Sequence, residues 1–262
     1  MTSRPAARPL AAVSLKAYLG HAETARWLAA VRPVAAARPS VEVAVLPLLT
    51  SVPAAIEVLG DVCSVGAQAV STADPGPATG EVPAAVLAEL GVRYGEIGHA
   101  ERRAAGEDDA LFAAQARTAV SVGVEPLICV GEPTRTDPAG AATWCTGQLD
   151  AVLAGVTPTA PVVVAYEPVW AIGAADPAPA AHVTEVADRL RRWAEARSGG
   201  GTGAGAGTVR LLYGGTAGPG TFAALTPHVD GLFLGRRAHD PAALADVLDE
   251  MVRTVRTGED HP

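Results

Sequence analysis

Reactive side chains follow three separate apolar runs of the chain, each at the point where the run ends. Lys16 ends the first run and is the single lysine of the protein, because the other 19 of its 20 basic residues are arginines. His99 and Glu167 end two later runs. An imidazole and a carboxylate can transfer protons, and an ammonium stabilises developing negative charge. If folding brings the three together, the sequence predicts acid–base catalysis.

The apolar runs alternate with longer, alanine-rich segments of helical period, which is the pattern of repeated βα units. Runs such as Val162 to Ala165 are apolar on both faces, as in a parallel sheet that helices cover. Eight such units within 262 residues favour an α/β fold of one domain, a closed (β/α)8 barrel of eight parallel strands ringed by helices. We expect residues 1–9 and 257–262 to be flexible tails.

The predicted strands and helices follow each other in order along the chain. The strands span Ala11 to Lys16, Val41 to Pro47, Ser64 to Val70, Tyr94 to His99, Glu125 to Gly131, Pro161 to Glu167, Val209 to Gly215 and Gly231 to Gly235. The helices span Ala22 to Ala37, Val52 to Leu59, Ala84 to Leu90, Asp109 to Val122, Ala141 to Leu153, Pro179 to Ala196, Pro219 to Leu225 and Pro241 to Val255. Catalytic groups of such barrels lie at the carboxyl ends of the strands, where Lys16, His99 and Glu167 stand.

Glycines end the seventh and eighth predicted strands, within Tyr213 to Thr216 and Gly231 to Arg236. Glycine lets backbone N–H groups approach an anion, and these two loops are the usual phosphate site of (β/α)8 barrels. Another glycine-rich run, Ser198 to Thr208, precedes a strand instead of opening a helix, and it contains no lysine. We therefore interpret that run as a flexible connection and not as a phosphate loop.

Motifs spread over essentially the whole chain resemble those of the triosephosphate isomerase family. They are Gly66-Ala67-Gln68, Thr79-Gly80-Glu81, GHAERR at Gly98 to Arg103, CVGE at Cys129 to Glu132, AYEPVWAIG at Ala165 to Gly173, YGGT at Tyr213 to Thr216, and DG…LG from Asp230 to Gly235. The resemblance implies a TIM barrel that interconverts dihydroxyacetone phosphate and glyceraldehyde 3-phosphate through an enediolate, an aldose–ketose isomerisation of glycolysis and gluconeogenesis. It implies no metal and no organic cofactor.

The resemblance also implies roles for particular side chains. Glu167 is expected to take a proton from carbon, and His99 to donate a hydrogen bond to the developing oxyanion as a neutral imidazole. Lys16 is expected to stabilise the enediolate and the phosphate, and Glu101 to pair with Lys16. A carboxylate that begins a helix is the alternative role for Glu101. The positions matching the family's phosphate and substrate contacts are Ser14, Gly173, Thr216, Gly235 and Arg236.

Departures from the family pattern concern the substrate more than the reaction. Ser14 stands where the family has an asparagine, Ala100 where it has a serine, and Arg236 where it usually has a second glycine. The lid tip, usually GTGKTA, reads GAADPA from Gly173 onward, and Pro177 is expected to stiffen its hinge. A planar guanidinium at position 236 suits bidentate phosphate contact or a longer substrate.

Three functions therefore stay open. The first is the triose phosphate isomerisation of the family. The alternative rests on Glu96, which precedes Ile97-Gly98-His99, on the altered lid and on the GLFLGR run from Gly231 to Arg236, because these resemble a branch of the family that isomerises L-erythrulose 1-phosphate, a tetrulose phosphate. The third is a barrel that has lost catalysis and serves as a binding protein. The joint presence of Lys16, His99 and Glu167 argues against that third function, and comparing kcat/KM for the two substrates separates the other two.

Composition excludes several other classes. A formal charge of −8 and a pI near 5.2 lack the basic character of a nucleic-acid-binding protein. The cysteines, Cys63, Cys129 and Cys145, are odd in number and lack zinc-type spacing, which indicates a reducing cytosol. We find neither an export signal nor a membrane-length apolar run, so we expect a cytoplasmic protein without a membrane partner.

The segment Ser71 to Glu81 resembles the family's long interdigitating loop, which enters a pocket of a second subunit. The resemblance implies a homodimer with isologous contacts, in which Thr79 reaches the Lys16 region of the partner. Alternatively, Pro75 and Pro77 only stiffen an exposed loop.

Overall fold

Eight parallel strands close into a barrel, as predicted, in the order of the sequence. The computed structural model describes residues 8–174, 177–198 and 209–259. The strands are β1 (Leu10–Ser14), β2 (Glu42–Leu46), β3 (Ser64–Ala67), β4 (Tyr94–Ile97), β5 (Glu125–Val130), β6 (Val162–Tyr166), β7 (Val209–Tyr213) and β8 (Gly231–Leu234). In the closing pair Leu10 lies opposite Gly231, where a Cβ would stand 1.9 Å from the carbonyl oxygen of Leu10. Only glycine therefore permits this closure.

Side chains alternate between the barrel interior and the helix-covered outside, as the pleat of a strand requires. Along β1, Leu10 and Ala12 belong to the inner cluster, and Ala11 and Val13 belong to the outer one. Bulky residues from some strands, such as Tyr94, pack against small ones from others. The interior is consequently a filled core whose open face lies at the strand ends.

Helices cover the outside of the barrel. They are α1 (His21–Ala36), α2 (Val52–Leu59), α3 (Ala84–Leu90), α4 (Ala100–Ala104), α5 (Asp109–Ser121), α6 (Pro138–Val152), α7 (Ala180–Arg197), α8 (Thr221–Leu225) and α9 (Pro241–Glu259), with 3-10 turns at Leu49–Ser51, Val169–Ala171 and Arg236–His239. The helix α4 is absent from the predicted set, because five residues are too few to show a helical period. It begins directly after His99 and therefore belongs to the site described below.

A buried ionic network fills the amino-terminal end of the barrel. Glu42 accepts hydrogen bonds from Tyr94 (2.6 Å), Ser64 (3.2 Å) and Arg210 (2.7 Å), and Arg93 lies 3.0 Å away. Burial alone would raise the pKa of Glu42, but the hydroxyl of Tyr94 and the two guanidiniums hold it below its usual value. This carboxylate is thus buried together with the charges that compensate it.

Several strand and tail boundaries differ from the prediction. The first strand ends at Ser14 and not at Lys16, because Lys16 has φ +46° and leaves the β region. The helix α9 extends to Glu259, so residues 257–259, expected in a tail, are helical. Positions 1–7, 175–176, 199–208 and 260–262 lie outside the described residues. They include most of the first predicted tail, half of the second, two positions of the lid tip and nearly all of the glycine-rich run.

Candidate active site

A cleft of about 440 Å³ opens at the carboxyl ends of the strands. It is lined by most of the predicted site residues, namely Ser14, Lys16, Glu101, Glu167, Gly173, Thr216, Gly235 and Arg236. The remaining one, His99, lies beside Glu167, with its Nε2 3.6 Å from a carboxylate oxygen. Side chains from distant parts of the sequence thus converge at one end of the barrel.

Glu167 follows directly on β6, and its backbone N–H donates to the carbonyl of Val130 at 2.8 Å. Its carboxylate is buried against Gly214, where a Cβ would come within 2.6 Å of the Glu167 Cγ. The pKa of Glu167 is raised to about 8. Burial is the main cause and the nearby Glu96 carboxyl a smaller one, whereas Lys16 opposes the rise. A carboxylate with a raised pKa is a stronger base than glutamate in water.

His99 is the N-cap residue of α4, and this position fixes its tautomer. Its Nδ1 accepts a hydrogen bond from the backbone N–H of Glu101 at 3.1 Å. Because an accepting nitrogen carries no proton, the proton of the neutral ring resides on Nε2, which faces Glu167. Burial and, to a smaller extent, repulsion by Lys16 lower the pKa of His99 to about 4. The ring is therefore neutral near pH 7 and offers one N–H to the cleft.

The His99 Nε2 and the Glu167 Oε2 share an unusual feature. Both atoms are buried, and among the described residues neither has a hydrogen-bond partner. Their separation of 3.6 Å is too long for a good hydrogen bond between them. A donor and an acceptor at this spacing can act on two adjacent atoms of one bound molecule. Leaving both groups buried and unpaired costs free energy, which a ligand that pairs with them would recover.

Lys16 occupies a strained backbone position at the edge of the cleft. Its φ of +46° lies in the left-handed region, which costs a residue with a side chain about 1–3 kcal/mol. The side-chain amide of Gln68 donates to the carbonyl oxygens of Lys16 (3.1 Å) and Leu46 (2.9 Å), and so ties this loop to β2. The strain is held at the one position that carries the ammonium.

The Lys16 ammonium donates to a carboxylate oxygen of Glu101 at 2.8 Å. Partial burial would lower the pKa of Lys16, but this hydrogen bond and the charges of Glu101, Glu167 and Glu96 raise it. Lys16 consequently stays a cation at neutral pH. Glu101 also stands in the first turn of α4, so the structure gives it the lysine pairing and the helix-start position together.

The loops after β6, β7 and β8 contribute glycines and an arginine to the cleft. Gly173, with φ +69°, and Gly235 have open space where a Cβ would stand. The Thr216 hydroxyl donates to the carbonyl of Ala171 at 2.9 Å, which fixes the lid segment to the loop after β7. The Arg236 guanidinium lies 5.7 Å from the ring centre of Tyr18 in a cation–π contact. An anion placed here would meet backbone N–H groups and a positive charge.

Glu132, from the CVGE motif, anchors the segment that follows Glu167. Its carboxylate accepts hydrogen bonds from Trp170 (2.7 Å) and Tyr166 (3.2 Å), and its carbonyl accepts from the N–H of Val169. The segment after Glu167 is thereby attached to the rim between β5 and β6.

Some residues of the site were not predicted from the sequence. Tyr18 and Arg237 line the cleft, and the thiol of Cys129 lies within hydrogen-bond reach of Glu167. Glu96 is buried on the barrel interior, where Ser14 donates to it at 3.1 Å. A signal for Glu96 was present in the sequence, since an acidic residue interrupts an otherwise apolar strand two positions after Tyr94.

Other features of the described residues bear on the remaining expectations. Cys63, Cys129 and Cys145 are buried and not disulfide-bonded. In the part of the chain that the structure covers, no group of three or more His, Cys, Asp or Glu side chains could hold a metal ion. No helix among the described residues has the length and apolar character needed to cross a bilayer.

Comparisons with known proteins agree with this geometry. Residues 9–251 match the family model described as triosephosphate isomerase. The chain is 42% identical over 248 residues to an L-erythrulose-1-phosphate isomerase from Pectobacterium atrosepticum, covering 91% of this chain and 93% of that protein. It is 40% identical over 235 residues to a triosephosphate isomerase from Thermus thermophilus, covering 87% and 92%. A crystal structure of triosephosphate isomerase from Bartonella henselae superposes with a TM-score of 0.76 at 30% identity, covering 94% of this chain and 99% of that one.

Proposed function

Because the chain belongs to the triosephosphate isomerase family, we propose that it isomerises a small sugar phosphate by moving a proton between adjacent carbons. The observation that carries the proposal is the unpaired, buried His99 Nε2 and Glu167 Oε2, 3.6 Å apart in one cleft. One is a donor and the other an acceptor. An isomerisation through an enediolate needs both at neighbouring atoms of the substrate.

In the proposed reaction Glu167 removes the proton from the carbon next to the carbonyl group. The electron pair of that C–H bond becomes the C=C bond of an enediolate, and the carbonyl oxygen takes the negative charge. His99 donates its Nε2–H to this oxygen, and the Lys16 ammonium stabilises the charge. Glu167 then returns the proton to the neighbouring carbon while a proton passes between the two oxygens, so that carbonyl and hydroxyl exchange places.

The phosphate of the substrate would bind on the side of the cleft formed by Gly173, Thr216, Gly235 and Arg236. Backbone N–H groups suit a dianion there, and Arg236 adds a planar donor pair. Binding energy from this group can then support closure of the lid over the reacting carbons. The lone Lys16 would lie between the phosphate and the enediolate.

For the substrate we propose two candidates, the interconversion of dihydroxyacetone phosphate and glyceraldehyde 3-phosphate in the cytoplasm and the isomerisation of L-erythrulose 1-phosphate. Two observations favour the second. Ser14 and Ala100 are smaller than the side chains the family usually has there, and a relative at 42% identity bears the name L-erythrulose-1-phosphate isomerase. The same proton transfer on this four-carbon ketose would move its carbonyl from C2 to C3.

The test of the reaction is turnover of both phosphates by the wild type and by Glu167→Gln. Glutamine keeps the size of the side chain but is not a base, so we expect kcat/KM to fall about 10²–10⁴-fold. Glu185→Gln is the matched control, since Glu185 pairs with Arg189 on the exposed surface of α7. Equal activity of the Glu167 variant and the wild type would mean instead that the barrel has lost catalysis and binds its ligand only.

We also propose a homodimer formed through the loop around Thr79. This loop is closed at its base by the pairing of Ser71 with Pro83 and by the Ser71–Glu81 hydrogen bond of 2.6 Å. Its tip, from Asp74 through Pro77 and again at Thr79, is exposed in the single chain. A rigid base with an exposed tip fits insertion into a second copy.

A further inference from the structure

One buried carboxyl near the cleft has no part in the proposed proton transfer. Glu96 lies on the inward face of β4, two residues after Tyr94, and is almost completely buried. Its hydrogen-bond partner among the described residues is the hydroxyl of Ser14, 3.1 Å away across the barrel interior. Ser14 lines the cleft and precedes Lys16 by two residues, so the pair lies one layer below the ammonium.

This burial differs from that of the carboxylate at the other end of the barrel. Glu42 receives a serine hydroxyl as well, but two arginines compensate its charge. Glu96 has no guanidinium at hydrogen-bond distance in the described part of the chain, and burial raises its pKa to about 7. Burying a carboxyl without a compensating charge lowers the stability of the fold. Proteins accept such a cost mainly at functional sites.

The hydrogen bond between Ser14 and Glu96 determines what else the pair can bind. When Glu96 is ionised, the Ser14 hydroxyl gives its single proton to the carboxylate, so the Ser14 oxygen can only accept a further hydrogen bond. The ionised carboxylate accepts as well. In this ionised form the pair suits a hydroxyl group, which donates, and disfavours a carbonyl oxygen or a phosphate, which cannot.

We propose that the Ser14–Glu96 pair binds the terminal hydroxyl of a four-carbon ketose phosphate and selects it over the three-carbon substrate. This inference rests on the proposed isomerase function. L-erythrulose 1-phosphate is dihydroxyacetone phosphate with a hydroxymethyl group in place of one hydrogen on the carbon that loses its proton. The fourth carbon is thus attached beside Glu167 and His99, at the end of the substrate away from the phosphate.

Ser14 and Glu167 both line the cleft, so a substrate whose reacting carbon lies against Glu167 shares that space with Ser14. The strand of Ser14, β1, is adjacent to β8 of the phosphate side, whereas the strand of Glu96, β4, lies across the barrel from β8. The side chain of Ser14 is also smaller than that of the asparagine the family has at this position. The charge of Glu96 contributes to the raised pKa of Glu167, so the pair lies near the carboxylate that is proposed to take the proton.

A different role for Glu96 makes a distinct prediction. If its charge served only to strengthen Glu167 as a base, substitution would slow both substrates by the same factor and move the pH dependence of both. Recognition of a hydroxyl, in contrast, changes the ratio of the two kcat/KM values, because dihydroxyacetone phosphate has no fourth carbon.

The experiment measures kcat/KM for L-erythrulose 1-phosphate and dihydroxyacetone phosphate in the wild type, Glu96→Met, Glu96→Gln and Ser14→Ala. We expect the wild type to favour the four-carbon substrate and Glu96→Met to lower the ratio at least about 100-fold. Glu96→Gln keeps an accepting oxygen and should retain part of the preference. Circular dichroism and Tm will show whether Glu96→Met folds. If it does not, the ratio of the two kcat/KM values in Ser14→Ala tests the pair instead.

Ser64→Ala is the matched control, because it removes a serine–glutamate hydrogen bond from the far end of the barrel and should leave the ratio unchanged. A uniform loss on both substrates in the Glu96 variants, with a common shift in pH dependence, would overturn the inference. So would a wild type that turns over only dihydroxyacetone phosphate, which leaves the isomerase proposal standing. No turnover of either substrate would remove both.

Discussion

At the scale of single residues, the chain places an acid and a base with opposite pKa shifts side by side. Burial raises the pKa of Glu167 and lowers that of His99, because in both cases it disfavours the charged form. The carboxyl becomes a stronger base and the imidazole stays neutral. Each shift suits the role proposed for that residue.

These shifts predict the pH dependence of the reaction. Glu167 must be deprotonated to act as a base, and its pKa of about 8 means that kcat/KM of the free enzyme rises with pH and reaches half its maximum near pH 8. His99 is neutral between pH 5 and 10, so its titration does not change the pH profile of kcat/KM in that range. The measurement is kcat/KM from pH 5 to 10; a value that is already constant above about pH 6, as the ordinary glutamate pKa of 4.5 would give, would contradict the assignment of Glu167 as a buried base.

Sequence reasoning reached most of the candidate site at this scale. Motif resemblance identified Lys16, His99 and Glu167, and the structure places them together. It gave Glu96 no role of its own, because a lone acidic residue in a strand does not reveal which side chain it faces. The partner, Ser14, is 82 positions away and meets it only across the closed barrel.

At the scale of secondary-structure elements, strand ends depend on close contacts that only glycine allows. Gly214, after β7, packs against the Glu167 side chain, and a Cβ there would lie 2.6 Å from Glu167 Cγ and 3.0 Å from Oε1. The position of the carboxylate is therefore determined by the neighbouring strand as much as by its own.

Gly214→Ala should displace the Glu167 side chain and lower kcat/KM about 100-fold, because small misplacements of a reacting group are costly. Gly147→Ala is the control: it lies within α6 with nothing within 4 Å of its Cβ position, and should preserve activity and raise stability by about 0.5–1 kcal/mol. Kinetics together with thermal unfolding will test both. A fully active Gly214→Ala enzyme would mean that the Glu167 side chain can shift without loss of activity, contrary to the tight packing.

Periodicity predicted the elements of this fold better than their ends. The long helices and all strands were found from hydrophobic patterns, whereas α4 and the turn at Lys16 were not. Both depend on local bonds that leave no pattern, namely the His99 cap of α4 and the Gln68 amide that holds the Lys16 carbonyl. Apolar residues continue past several strand ends because the mouth of the barrel is buried. The predicted strands are therefore longer than the observed ones.

At the scale of the whole molecule, the exposed loop around Thr79 predicts self-association. Light scattering at micromolar concentration should give twice the 26.4 kDa mass of the chain. Thr79→Arg, which places a charge at the loop tip, should shift the protein toward the monomer and reduce turnover, since the loop is expected to reach the partner's Lys16 region. A wild-type protein of monomeric mass would contradict the dimer and favour a merely stiffened loop.

Barrel closure has a consequence for biosynthesis. The residues of β1 pair with those of β8, and the cleft takes Ser14 and Lys16 from one end of the sequence and Gly235 and Arg236 from the other. A nascent chain leaving the ribosome can fold its middle βα units early, yet it cannot assemble this cleft until the eighth strand has emerged. Catalytic competence would thus arrive abruptly, near the end of translation, and no shorter intermediate could act prematurely on sugar phosphates.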